Sequence, residues 1–340
     1  MKTVLQWIGL GVLALVVMAI LGGATWEAVA RANAPRAFPP PGRLVDIGGR
    51  RMQIDCRGSG APTVVFEAGL DMMGSLSWSR VHDEVARTTR ACAYSRAGLM
   101  WSDASGRPFS SANLAQDLHG ALAAAGEKPP FVMVGHSLGG PYLLTYTARY
   151  GPEVAGLVFV DASHPDQIGR LRAAVGKDLD QGEAVARTAD ALAWTGAIRL
   201  ALAAGVPSSR QAPPQVARTL AAFLPQSLHA ETEEQAALAD TLASAGRSRA
   251  LGDRPLVVLT HGAATSPEIL KAMKITAEQG RSLETTWTTL QDEEAAWSSH
   301  SRHEVVAGAS HYIQFDRPEV VVAAVRDVVS QVRASAAAPR

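Results

Sequence analysis

Residues 131–140 read FVMVGHSLGG, a strand, a tight turn and the start of a helix in ten residues. Four apolar residues, the pattern of a buried strand, run directly into Gly-His-Ser-Leu-Gly, and the segment that follows, up to Tyr150, predicts a helix. A serine on such a tight strand-to-helix turn needs small neighbours, because the strand and the helix approach closely, and Gly135 and Gly139 supply that room. The turn directs the hydroxyl of Ser137 out of the sheet. Ser137 is therefore the candidate nucleophile.

Short β-branched runs alternate with helical stretches on both sides of this turn. Gly48-Gly49 separates the first two runs and predicts a hairpin. A hairpin followed by alternating strands and helices predicts an α/β fold with a mostly parallel sheet of eight strands, covered by helices on both faces. The predicted strands are residues 43–47, 52–56, 63–67, 91–94, 131–134, 156–161, 255–260 and 302–307. The predicted helices of the core are residues 77–89, 112–125, 138–150, 283–299 and 318–332.

Residues 162–252 break this alternation. They are rich in alanine, helical in pattern and without a clear strand, so we interpret them as a helical cap inserted after the sixth strand. The core domain then comprises residues 43–161 and 253–334. A cap in this position is expected to cover the mouth of the site and to select the substrate.

Residues 1–35 form a separate N-terminal segment, interpreted as a membrane anchor or signal peptide with its linker. No charged residue occurs between Lys2 and Glu27, and a membrane-spanning helix takes about 20 apolar residues. Ala28-Val29-Ala30 offers a signal-peptide cleavage site, but the uncharged run exceeds the usual signal core, which favours an uncleaved anchor. The orientation stays open because positive charges flank both sides, Lys2 against Arg31, Arg36 and Arg43. A buried core helix is the weaker alternative, because the segment has no polar stripe.

The composition excludes several classes of protein. With 47% hydrophobic and 19% charged residues, the 340-residue chain can bury a large core and is not disordered. Thirty-two basic residues balance thirty-two acidic ones, so no basic field is available to hold nucleic acid. Two cysteines, and histidines outside any HExxH pattern, argue against a structural metal.

Taken together, the motifs resemble those of the α/β-hydrolase fold enzymes, from Val45 to Val332. The resemblance rests on VVFEAGL at 64–70, AYSRAGLMWSD at 93–103, VMVGHSLGG at 132–140 and ASHYIQFDRPE at 309–319. It implies a hydrolase whose catalytic base is His311, in the loop after the last strand. We interpret His300 and His303 as solvated or structural, and His136 as packed beside the turn.

The acidic member of the triad departs from the common pattern of the family. The resemblance usually places it after the seventh strand, but residues 259–267 contain no carboxylate before Glu268. Some relatives, including haloalkane dehalogenases, carry the acid at the end of the sixth strand instead, where this chain has Asp161. Asp161 keeps the order Ser, acid, His and would hold the imidazole in the required tautomer. The alternatives are that Asp161 only ends the strand, or that Asp166, Glu268 or Asp292 is the acid.

Acyl transfer also needs N–H donors for the oxyanion. The N–H of Leu138 follows the nucleophile directly. The resemblance adds a second donor from the loop at 67–71, where Leu70 occupies the matching position. Gly69 is alternatively an ordinary turn glycine. In the same family Ser95 stands where many relatives carry aspartate before Arg96, which puts an ion pair there in doubt.

The two cysteines are expected to meet because of the resemblance. In the fold that this chain resembles, the strands of Cys56 and Cys92 are neighbours, and matching registers would allow a disulfide. Two buried free thiols are the alternative. A disulfide and the N-terminal segment would both favour an extracytoplasmic protein, either membrane-anchored or secreted to the periplasm or beyond.

These observations predict a serine hydrolase that cleaves a carboxylic ester through an acyl-enzyme. The alternatives are an aminopeptidase or amidase, a C–C bond hydrolase and, less favoured, a non-catalytic binding protein. The expected partners are a small-molecule ester or amide substrate and, if the N-terminal segment is uncleaved, a membrane. No metal or organic cofactor is implied, and nucleic acid is not expected.

Overall fold

The computed structural model describes residues 2–179, 182–205 and 212–337. It contains the eight-stranded, mostly parallel sheet, which confirms the predicted fold class. The strands are β1 Arg43–Asp46, β2 Arg51–Arg57, β3 Thr63–Glu67, β4 Ala91–Tyr94, β5 Phe131–His136, β6 Val154–Val160, β7 Leu256–His261 and β8 Ser301–Val306. Their order is β1-β2-β4-β3-β5-β6-β7-β8, and only the pairs β1–β2 and β2–β4 are antiparallel.

Helices cover both faces of this sheet and fill the interval between β6 and β7. They are α1 Lys2–Ala37, α2 His82–Ala86, α3 Ser111–Ala124, α4 Gly139–Tyr150, α5 Gln167–Val175, α6 Glu183–Ala193, α7 Ala197–Ala203, α8 Pro214–Ala236, α9 Leu238–Ala245, α10 Pro267–Met273, α11 Ala277–Ala295, α12 Ile313–Asp316 and α13 Pro318–Ala337. Helices α5 to α9 occupy the segment that we interpret as a cap, and its described residues form no strand.

Alternation along the central strands divides the core between the two faces. In β5, Phe131 and Met133 pack with α3 and α4, whereas Val132 and Val134 pack with α2 and α13. Successive side chains of a strand point to opposite faces, so a central strand must be apolar on both. The parallel pairing of β5, β6 and β7 brings their carboxyl ends to one edge, where Ser137, Asp161 and His261 follow one another across the sheet.

One helix begins earlier than its apolar pattern indicated. The periodicity predicts a helix from Leu283, but α11 begins at Ala277. Thr276 accepts a hydrogen bond from the backbone of Gln279, and the Gln279 side chain bonds back to Thr276. This capping box satisfies helix-terminal N–H groups and extends the helix through residues with no apolar pattern.

Cys56 and Cys92 face each other in the register of β2 and β4 and form a disulfide. The bond ties the antiparallel edge of the sheet to its parallel centre. It leaves no free cysteine in the part of the chain that the structure describes.

Helix α1 is long and apolar enough to cross a membrane. Its large apolar side chains between Val4 and Leu21 are exposed, whereas Glu27 and Ala34 are buried against the rest of the protein. The first part of the helix is therefore exposed, and the second part packs against the rest of the protein.

Candidate active site

Ser137 lies between the end of β5 and the start of α4, with a φ of 52°. Few side chains tolerate this left-handed conformation, and such strain is concentrated at functional sites. A Cβ on Gly135 would lie 2.8 Å from the carbonyl carbon of Gly139, and one on Gly139 would lie 2.7 Å from the backbone carbonyl oxygen of Glu67. Only glycine fits at either position, which accounts for the spacing around Ser137 in the sequence.

Asp161 and His311 are joined by a hydrogen bond across 150 residues of chain. The Nδ1 atom of His311 lies 2.5 Å from Oδ2 of Asp161. Asp161 is fully buried, while the His311 side chain is 38% exposed. Asp161 also has a positive φ, 49°, which places its carboxylate at the carboxyl edge of β6. The arrangement fixes one imidazole nitrogen and leaves Nε2 free for proton transfer.

Ser137 and His311 are linked through His136. Nε2 of His136 donates to the carbonyl of His311 at 2.9 Å, and the two rings are 4.7 Å apart. Burial and the neighbouring His311 lower the pKa of His136 to about 3, so this imidazole is neutral. His136 thus packs beside the turn and holds the loop that carries His311. Among the described residues, no hydrogen bond joins the Ser137 hydroxyl to His311.

A second histidine, which the sequence reasoning missed, contacts the same carboxylate. Nδ1 of His261 lies 2.8 Å from Oδ2 of Asp161, and the His261 backbone N–H donates to Oδ1 at 3.0 Å. The indole of Trp287 donates to Oδ1 at 2.9 Å, and Glu284 accepts from Nε2 of His261 at 2.8 Å. The only sign of His261 in the sequence was its place at the end of β7, next to the strand of Asp161.

These contacts determine the charges at the site. Burial alone would favour neutral Asp161, but hydrogen bonds from His261 and His311 keep the pKa of this carboxyl well below its usual range. Burial likewise opposes the protonation of His261, but Asp161 and Glu284 raise the pKa of that imidazole to about 10. Near neutral pH His311 therefore contacts an ionised Asp161 carboxylate, which is also paired with a cationic His261.

The two proposed oxyanion donors have no other acceptor. In the described parts of the chain, the backbone N–H groups of Leu138 and Leu70 make no hydrogen bond. A Cβ on Gly69 would lie 2.8 Å from Cβ of Ser137, so the loop of Leu70 runs against the candidate nucleophile. Unpaired N–H groups beside a nucleophile are the arrangement that stabilises a developing oxyanion.

Arg96 holds this loop in place. It donates to the carbonyls of Ala68 at 2.9 Å and Gly69 at 2.7 Å, and pairs with Glu67 at 2.9 Å and with Glu234 of α8 at 2.7 Å. Burial raises the pKa of Glu67 to about 7 in spite of the Arg96 charge. The ion pair that Ser95 put in doubt is thus made by glutamates elsewhere in the chain, one of them in the segment interpreted as the cap.

The other candidate acids lie away from His311. Asp166 pairs with Arg249 at 2.6 Å, and Asp292 contacts His303 at 2.6 Å. Glu268 is exposed in the first turn of α10. Of the carboxylates considered from the sequence, the structure brings only Asp161 to His311.

Two cavities border residues of the candidate site. One, of about 470 Å³, is bordered by His311, His261 and Trp287, and its remaining walls are largely apolar. The other, of about 450 Å³, lies between Arg96, Phe109 and α8. Phe109 lines the second cavity and packs in one apolar cluster with Leu70 and Leu138.

Among the residues that the structure describes, three groups of side chains are close enough together to suggest metal ligands. Cys56 and Cys92, in the first, are already joined by a disulfide. In the second, the imidazole nitrogens lie 2.5 and 2.8 Å from Asp161, closer than the about 3.3 Å edge of a tetrahedral zinc site. In the third, around His164, the Asp166 carboxylate is engaged by Arg249. The contacts in the second and third groups are those of hydrogen bonds and ion pairs.

The family model described as the alpha/beta hydrolase family matches residues 58–324. The chain belongs to this family. The match includes the turn at Ser137, the end of β6 at Asp161 and the loop of His311, so all three candidate triad residues lie within the family's domain.

Curated relatives match the chain to different extents. It is 45% identical over 74 residues to the uncharacterized protein C23C11.06c of Schizosaccharomyces pombe, covering 22% of this chain and 14% of that protein. It is 24% identical over 127 residues to YbdG of Bacillus subtilis, covering 37% and 39%. YqjL of the same bacterium is 24% identical over 280 residues, covering 80% and 85%. The chain thus spans less than half the length of the first two.

Solved structures of the family share the architecture. An esterase from Thermogutta terrifontis is 19% identical with a TM-score of 0.53, covering 85% of this chain and 98% of that one. Est816, an N-acyl homoserine lactone degrading enzyme, is 17% identical with a TM-score of 0.56, covering 84% and 99%. The meta-cleavage product hydrolase CumD from Pseudomonas fluorescens is 14% identical with a TM-score of 0.59, covering 86% and 98%. At these identities the likeness concerns the fold.

Proposed function

We propose that the chain is a serine hydrolase that cleaves a carboxylic ester through an acyl-enzyme. The observation that carries the proposal is the 2.5 Å hydrogen bond from His311 to buried Asp161, next to Ser137 on its strained turn. The free N–H groups of Leu138 and Leu70 support it.

Each residue has one role in this mechanism. His311 Nε2 takes the hydroxyl proton as Oγ of Ser137 bonds to the ester carbonyl carbon, and the two backbone N–H groups stabilise the oxyanion. The alcohol leaves with the proton from His311. Water then attacks the acyl-enzyme by the same route, releasing the acid and restoring Ser137. Asp161 orients His311 and stabilises the imidazolium that forms in each step.

The nucleophile separates this chemistry from other reactions of the family. Dehalogenases and epoxide hydrolases use a carboxylate at the turn, whereas this chain has the hydroxyl of Ser137. We propose an apolar group on the substrate because Leu171, Ile269 and Met273 line the cavity beside His311.

We also propose an extracytoplasmic site of action. The Cys56–Cys92 disulfide supports it, because such bonds persist mainly in oxidising compartments. The exposed apolar part of α1 also supports it, because such a segment would serve as a signal peptide or as a membrane anchor.

The test is active-site labelling of the full chain in mild detergent, followed by turnover of a substrate panel. A fluorophosphonate should label the wild type and a Ser330→Ala control, which alters an exposed serine of α13, but not Ser137→Ala. The panel comprises p-nitrophenyl esters, aminoacyl anilides and a vinylogous 1,5-diketone. Preference for an anilide or for the diketone would replace the ester proposal with an amidase or a C–C hydrolase. Undiminished labelling of Ser137→Ala would overturn the nucleophile.

A further inference from the structure

Helix α1 contains two parts of different character. Its large apolar side chains from Val4 to Leu21 are exposed, and no charge interrupts the chain between Lys2 and Glu27. A helix crosses the hydrocarbon core of a bilayer in about 20 residues. A crossing that begins just after Lys2 therefore ends close to Gly22 and Gly23.

At that level α1 touches the turn between α6 and α7. A Cβ on Gly23 would lie 2.2 Å from the carbonyl oxygen of Thr195, and one on Gly196 would lie 2.7 Å from the carbonyl oxygen of Gly23. The two backbones are thus in direct contact, which places this turn where α1 leaves its apolar stretch.

One helical turn further, a buried ion cluster secures the contact. Glu27 is 1% exposed and pairs with Arg31 at 2.7 Å and with Arg199 of α7 at 2.7 Å. Arg31 also donates to the carbonyl of Pro225 in α8 at 3.1 Å. Cleavage after Ala30 would remove Glu27 and leave Arg199, whose side chain is 13% exposed, without its carboxylate. Leaving a buried charge unpaired is strongly destabilising.

Large apolar side chains surround the same contact and face solvent. Trp26 is 43% exposed, Leu192 45% and Trp194 56%. Tryptophan is enriched at the membrane–water interface, because its ring is apolar and its N–H is polar. Trp194 lies one residue before the turn that touches Gly23, so a bilayer crossed by α1 would meet it.

We propose that α1 is retained in the mature protein and that the α6–α7 turn, with Leu192 and Trp194, forms a second contact with the surface of the bilayer that α1 crosses. The buried Glu27 cluster keeps this surface at a fixed position relative to the membrane. The occupant of the apolar surface is therefore lipid. This inference does not depend on which bond Ser137 cleaves.

The test places a reporter on the surface in the full chain. A Trp194→Cys variant is labelled with an environment-sensitive nitrobenzoxadiazole dye and reconstituted into phosphatidylcholine vesicles. The native cysteines are in a disulfide and do not react. Val305→Cys is the matched control, since Val305 is 51% exposed on β8, at the opposite edge of the sheet from β1.

Lipids that carry a nitroxide near the headgroup should quench the dye at position 194 several-fold more than the dye at position 305. The mass of the protein extracted from membranes should also show that the mature chain still contains the residues that precede Gly23. Equal quenching at the two positions would remove the lipid contact. A mature chain that begins after Ala30 would overturn the retention of α1.

Discussion

His261 and Asp161 are joined by two separate contacts, from Nδ1 of the imidazole at 2.8 Å and from the backbone N–H at 3.0 Å. The backbone contact prevents the carboxylate from turning away, and the His261 imidazole supplies a positive charge at Oδ2, the oxygen that His311 also contacts. A carboxylate held in this way presents Oδ2 to His311 in one orientation. Asp161 therefore acts as the centre of a buried network.

Replacing Asp161 by asparagine is expected to lower ester turnover by about 10²-fold or more, because an amide cannot stabilise the imidazolium of His311. The measurement is kcat on the best p-nitrophenyl ester. Asp166→Asn alters the pairs of Asp166 with Arg249 and His164, away from His311, and should remain near wild type. The acid assignment would move if Asp292→Asn or Glu268→Gln were the crippling change.

His261 should make stability depend on pH. Its folded pKa of about 10 lies above the ordinary value of 6.5, so the folded state holds an extra proton between these values. This contribution to the unfolding free energy is complete below about pH 6.5 and is lost as the pH rises towards 10. Urea unfolding at pH 7, 8.5 and 9.5 should therefore show a steep decline in the wild type and a shallower one in His261→Gln. His300→Gln, at an exposed histidine, should keep the wild-type slope; a slope unchanged in His261→Gln would contradict the assignment.

Glu234 should connect α8 to catalysis through Arg96. Glu234→Gln removes a charge from a buried pair, so we expect a lower melting temperature and a kcat reduced by about tenfold, because Arg96 also positions the loop of Leu70. The adjacent Glu233 is 41% exposed at its side chain and makes no contact with Arg96. Glu233→Gln should match the wild type. A Glu234→Gln variant that lost stability but kept full kcat would limit Arg96 to a structural role.

Gly22 and Gly23 offer a matched pair for the packing of α1. Alanine normally stabilises a helix interior by up to about 1 kcal/mol relative to glycine. A Cβ meets nothing within 4 Å at Gly22 but the Thr195 carbonyl at 2.2 Å at Gly23. In detergent, Gly22→Ala should therefore keep or raise the melting temperature, and Gly23→Ala should lower it. Equal effects would show that α1 does not pack on this turn in solution.

Thiol counting should test the Cys56–Cys92 disulfide. The denatured, unreduced protein is expected to have no titratable thiol, and reduction should lower stability by about 2–4 kcal/mol, because the bond closes a loop of 36 residues. A Cys56→Ser, Cys92→Ser double variant serves as the control, since a reductant should not change its melting temperature. Two thiols before reduction would remove the disulfide and one of the two supports for export.

Some of the site followed from local pattern. Ser137 was identified from its neighbours, because glycine is the only residue type that fits at positions 135 and 139, where β5 and α4 approach each other. The eight strands followed from runs of apolar and β-branched residues, with ends that differ by at most two positions. The early start of α11 did not, since it depends on a capping box between Thr276 and Gln279 outside any apolar pattern.

The sheet, the tight turn at Ser137 and the apolar start of α1 could be predicted from the sequence, because each depends on residues close together in the chain. Which charged groups meet depends instead on how distant elements pack against one another. The pairs of Asp161 with His261, Arg96 with Glu234 and Glu27 with Arg199 join residues 100, 138 and 172 positions apart. A buried charge is stable only with a partner, and folding supplies that partner from whichever element packs against it. No local spacing encodes that choice.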